Sequence, residues 1–97
     1  MSEKKLNPAA MVKPSITVFL GNIVEEKLPK GASKDNPIIF AAPITYSTEK
    51  IYRKISRTVE CTYAEILLAM QTLLKVLMLD FEEEASLIRV VGYKNQK

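Results

Sequence analysis

The chain has 97 residues, 47% hydrophobic and 26% charged, with a formal net charge of +3 and one cysteine. That length makes one domain with a single core, and the lone Cys61 excludes an internal disulfide or a cysteine metal cage. Without any histidine, a general base near neutral pH would have to be a tuned carboxylate, lysine or thiol, so an enzyme is not expected.

Residues 1–14 are polar and lack periodicity, with Lys4, Lys5, Pro8 and Pro14, and read as a flexible tail. The domain proper is expected over 15–97. Ile16–Val24 is rich in β-branched and aromatic residues and predicts a strand, with Gly21 as a bulge. The lysines ahead of it give it a superficial likeness to a signal peptide. Gly21, Asn22 and the following Glu25, Glu26 and Pro29 break that pattern. The segment Glu25 to Asn36 carries Pro29, Gly31, Ser33 and Asp35 and predicts a loop. Pro37–Tyr46 predicts a second strand, with Pro43 calling for either a sheet edge or a break near the end of the run. Together the two runs suggest an antiparallel pair preceding the helices.

Ser47 caps the next segment, with Glu49 in a first turn that favours an acid. Ile51, Tyr52, Ile55 and Val59 share one side of this helix. Lys50, Arg53, Lys54 and Arg57 occupy a roughly 100° arc on the other. Thr62-Tyr-Ala-Glu65 then forms a capping box, with Cys61 and Ile66 as its hydrophobic staple. From Tyr63 to about Glu83 the periodicity predicts one long helix. Ile66, Leu67, Met70, Leu73, Leu74, Leu77, Met78 and Phe81 make one apolar face, and Leu68, Val76 and Leu79 a second. A helix apolar on both sides needs cover on both sides, so Leu68, Thr72, Val76 and Leu79 are the expected homodimer interface. Asp80, Glu82, Glu83 and Glu84 read as a solvated helix end that either frays or has a basic neighbour, not as a metal site. Leu87–Tyr93 predicts a final strand. The four tyrosines are scattered, each with its ring in the core and its hydroxyl at the surface. No aromatic series accompanies the basic stripe in the way stacked bases require.

The order of helix, capped turn, long apolar helix and strand running into Arg89-Val-Val-Gly-Tyr93 resembles the HU/IHF family of bacterial histone-like proteins. The matching parts are Ser47–Val59, Thr62–Glu65 and Arg89–Tyr93, about half the chain. That resemblance implies an α+β fold with an IHF-like dimer base, built from a helical hairpin flanked by strands. It also implies a non-catalytic homodimer binding double-stranded DNA through backbone phosphates, with little sequence preference. Lys94 stands where the family has a second glycine, and the family's DNA-binding arm does not follow. The residues left for nucleic acid are Lys50, Arg53, Lys54, Arg57, Arg89 and Lys94. The competing expectation is a dimeric structural or protein-interaction module using Ile16–Val24 or Leu87–Tyr93 as open strand edges. Neither a cofactor, a metal nor a small-molecule substrate is expected, and no segment is long and apolar enough to span a membrane. A reducing, cytoplasmic setting is the default, nucleoid-associated if DNA is bound.

Overall fold

The computed structural model describes residues 13–29 and 39–94. Its elements run α1 (Pro14–Lys27), β1 (Ile39–Ser47), α2 (Thr48–Ser56), α3 (Tyr63–Val76), β2 (Leu79–Glu84) and β3 (Leu87–Tyr93). The three strands form one antiparallel sheet in the order β1-β3-β2. The fold class is therefore α+β, with three helices and a three-stranded sheet among the described residues.

The first element overturns the strand expected over Ile16–Val24, and with it the N-terminal strand pair. Pro14 sits at the first helical position, where its missing N–H costs nothing and its φ is already helical. Ile16, Leu20 and Val24 recur every four residues and are fully buried, and α1 packs against α3. A strand would have placed Val18 on the same face as Ile16 and Leu20, yet Val18 is 65% exposed. Gly21 is not a bulge: a Cβ built there meets nothing within 4 Å. The helix also takes in Glu25 to Lys27, the start of the expected loop. Most of that loop, and the tail up to residue 12, lie outside the described residues.

β1 confirms the second strand, and its place at the sheet edge fits Pro43, which cannot donate to a ladder. Its pairing with β3 shifts register between Ile39 and Ile44. Tyr46 reaches from β1 to donate its hydroxyl to the Val24 carbonyl at 2.8 Å, one of the last-turn acceptors that a helix end leaves without a partner. This hydroxyl is buried rather than at the surface, and burial pushes its pKa up to about 12. Lys27 Nζ donates to the Thr45 carbonyl at 3.2 Å, tying the end of α1 to the same strand.

Both predicted caps are present. Ser47 Oγ accepts from the Lys50 amide at 3.2 Å. Thr62 Oγ1 accepts from the Glu65 amide at 3.1 Å while Glu65 Oε1 accepts from the Thr62 amide at 2.9 Å, the reciprocal box.

The long apolar helix does not exist. α3 ends at Val76, Leu77 is its C-cap, and Met78 adopts φ 64. A residue in this left-handed conformation is the usual way to end a helix, but glycine usually fills it. Methionine there leaves no stop signal in the sequence. The chain reverses into β2, so Leu77, Met78 and Phe81 leave the first helical face expected for them and Leu79 leaves the second. Leu79 is fully buried in this chain's own core with Ile66, Met70, Leu74, Ile88 and Val90. Removing such an aliphatic side chain from water contributes about 1.5–3 kcal/mol.

β3 is the central strand, paired on both sides. Its Ile88 and Val90 face the helices and Arg89 the opposite side, as strand alternation requires. Among the described residues the edges of the sheet are consequently β1 and β2, not Ile16–Val24 or Leu87–Tyr93. A two-residue turn, with Ala85 at φ 52, joins β2 to β3. The Ser86 carbonyl of that turn accepts from the Thr48 amide at 2.8 Å, which seats the hairpin tip against the start of α2.

Candidate nucleic-acid interface

The basic stripe lies on the solvent side of α2, whose opposite side buries Ile51 and Ile55. Lys50, Arg53, Lys54 and Arg57 are all exposed. Arg53 is paired along the helix with Glu49 at 2.6 Å, the favourable order of acid before base four residues apart. Among the described residues no ion pair engages Lys50, Lys54 or Arg57. Arg57 is the C-cap residue, so the last two cations also sit at the end of the helix where its dipole favours positive charge.

Arg89 belongs to a different surface. It lies on the sheet face away from the helices, with Glu82 at 3.8 Å and Glu84 at 4.0 Å. Glu82 is its cross-strand partner in the β2–β3 ladder. The acids read as a helix end are thus strand residues, and their basic neighbour is Arg89. Glu83, turned to the helix side opposite Ile88, accepts a hydrogen bond from Gln71 on α3. No group of three or more metal-ligating side chains gathers among the described residues. Lys94 is exposed just after β3, its amide bonded to the Met78 carbonyl at 2.7 Å. The structure accordingly brings together four of the six sequence-selected cations and separates Arg89 from them.

The expected interface residues divide similarly. Val76 is 68% exposed at the end of α3 and Leu68 and Thr72 are half-buried along it, whereas Leu79 has no exposed surface. Cys61 lies in the α2–α3 turn, partly buried against the core. Burial, and after it the Glu65 carboxylate, raise its thiol pKa, the opposite of what a reactive thiolate needs.

Sequence reasoning missed an aromatic pair beside the stripe. Tyr52 of α2 and Tyr63 of α3 meet edge to face, with ring centroids 5.9 Å apart and planes at 80°. They line an open groove of about 300 Å³ with Glu49, Arg53 and Ser86. The signal was present but tertiary: the two tyrosines are separated by a turn whose path the sequence does not give. A second groove, of about 330 Å³, carries Lys27 and Lys50 above Ile23, Ile51 and Leu87.

Charge is unevenly placed. The described residues contain nine basic and nine acidic side chains, so the net +3 of the whole chain comes from residues 1–12, 30–38 and 95–97. No protein-family model, curated protein or solved structure matches this chain.

Proposed function

We propose that this protein is a non-catalytic, HU-like homodimer that binds nucleic acid, duplex DNA included, by its backbone phosphates and with little sequence preference. The observation that carries this reading is the exposed α2 stripe, in which Lys50, Lys54 and Arg57 have no ion pair among the described residues. Arg53 joins them once its pairing with Glu49 yields to phosphate. Phosphate contacts of this kind position a protein without reading bases. The β2 acids have partners away from the stripe, Glu82 and Glu84 with Arg89 and Glu83 with Gln71. Arg89 therefore drops out of the proposed contact set and Lys94 stays in it. The order of capped α2, capped α3 and returning strands is what speaks for the HU-like kinship; with α3 ending at Val76 and Leu79 inside this chain's own core, an IHF-like dimer base would have to rest on α3 alone. Leu68, Thr72 and Val76 on α3 are the remaining candidates for pairing two copies. A cytoplasmic, nucleoid-associated setting goes with this proposal.

The test is a salt-titrated mobility shift on duplex DNA, with solution mass measured on the same samples. Binding should weaken linearly in log–log form as salt rises, with a slope of about −0.9 for each phosphate neutralised. Absence of any shift at low salt with micromolar protein would end the nucleic-acid reading. A constant monomer mass at every concentration would end the dimer.

The neutrality of the described body favours one alternative, a dimeric interaction module that does not touch nucleic acid. Its docking edges would be β1 or the acidic β2. A partner that binds equally well to a stripe-neutralised variant would favour it.

A further inference from the structure

The groove between α2, the first turn of α3 and the hairpin tip combines two features that single-stranded nucleic acid requires. Tyr63 is 36% exposed and therefore does not serve merely as core filler. Tyr52, half-buried behind it, holds it edge to face at 5.9 Å. An edge-to-face contact covers one ring face of the pair and leaves other aromatic surface open to a flat partner. Arg53 lines the same groove and is also a member of the stripe, so the cation track runs directly away from the rings. Among the described residues Glu49 is the one acid lining the groove, and it pairs with Arg53 at 2.6 Å, a pairing that a bound phosphate displaces. The Ser86 carbonyl bond to the Thr48 amide fixes the hairpin tip that closes one side.

We propose that this groove takes an unpaired nucleobase of a single-stranded nucleic acid. The base stacks on Tyr63, with Tyr52 as its support, while the flanking phosphates follow Arg53, Lys54 and Arg57 along α2. This rests on the nucleic-acid reading above and adds to it the type of strand and the place of a base. Aromatic rings beside a positive track are the general solution for binding single strands, since every base offers a π-face whatever its identity. The volume of about 300 Å³ is at the small end for ligand pockets and has room for a single base. A stacked duplex keeps its bases inside and can offer the groove only backbone.

The experiment uses the full chain and four probes: a short oligo-dC, an oligo-dT, an abasic strand of the same length, and a duplex. Affinity is read by anisotropy and stacking by quenching of tyrosine emission, which is clean here because the chain has no tryptophan. Oligo-dC and oligo-dT should each bind about tenfold or more tighter than the abasic strand, with tyrosine quenching. Tyr63→Ala should remove that advantage while leaving abasic and duplex binding in place, and Tyr63→Phe should keep it. Circular dichroism of both variants checks the fold. Equal affinity for abasic and base-bearing strands, or a Tyr63→Ala variant that keeps the tenfold ratio, overturns the base site. In that case duplex binding that still depends on the α2 stripe leaves the broader reading standing. If an aromatic peptide quenches the tyrosines and oligo-dC does not, the groove is a protein contact and the inference is wrong. Should none of the four probes bind, both fall together.

Discussion

The α2–α3 corner and the β2–β3 hairpin contain most of this protein's charge and treat it in opposite ways. On α2, residues three and four apart are neighbours, and all but one of those neighbours are cations. Among the described residues only Arg53 is paired with an acid, and the other three side chains are exposed. On the hairpin, each side chain has a cross-strand neighbour, and Arg89 meets two acids at 3.8 and 4.0 Å. The corner's helices have both predicted N-caps, whereas the hairpin has left-handed, non-glycine residues at each end of β2, Met78 and Ala85. Charge available to a partner thus sits on well-capped helices, and charge consumed internally sits on the strained element. A balanced count of nine against nine conceals this segregation, which is why net charge alone is a poor guide to what the surface can bind.

The largest effect should come from reversing the corner. Lys50→Glu, Lys54→Glu and Arg57→Glu together are expected to weaken DNA binding by about 100-fold or more at low salt and to flatten the salt slope by about 0.9 per lost contact. Stability should fall by no more than about 1–2 kcal/mol in urea, because all three side chains are exposed and only Lys54 and Arg57 lose a favourable place at the C-terminal end of α2. A slope unchanged by the triple variant would show that the contacts lie elsewhere.

The capping box is next. Thr62→Ala removes the acceptor for the Glu65 amide and should cost about 1 kcal/mol in chemical denaturation. A change within error would mean that α3 begins elsewhere. A smaller gain of up to about 1 kcal/mol is expected from Ala85→Gly, which relieves a left-handed residue of its Cβ. The mirror substitution Gly21→Ala should stabilise α1 by about 0.5–1 kcal/mol. Were Gly21 a strand bulge, the same change would destabilise, so the sign of the shift discriminates.

The smallest effect concerns the hairpin. Glu82→Gln with Glu84→Gln releases Arg89 and removes two acids. Duplex affinity should rise only about two- to threefold, with about 0.9 added to the magnitude of the salt slope if Arg89 finds a phosphate. A rise as large as the loss from the α2 reversal would erase the distinction between the two regions.

What was legible in the chain follows the range of the interactions involved. Ser47 with Lys50, and Thr62 with Glu65, are bonds three residues long, and both formed as the sequence predicts. Pro43 put β1 at an edge because the missing N–H is a property of the residue. Pro14 was an equally local start signal for α1, but the β-branched composition of Ile16–Val24 outweighed it in the strand expectation. The basic stripe was legible as a pattern; that Arg89 is held by acids was not, because Glu82 and Arg89 meet only through the β2–β3 register. Tyr52 and Tyr63 became a pair through the path of the α2–α3 turn.

The sequence by itself determined the capped starts of α2 and α3, the strands β1 and β3, and a helix face of cations, since each depends on residues within a turn or a strand of one another. Tertiary structure alone decided that Ile16–Val24 is helical, that the apolar run breaks at Met78, and that Leu79 is inside. A four-residue spacing in α1 stabilises a helix only when α3 is there to bury it. A left-handed methionine persists only because packing on both sides of the break outweighs its local cost.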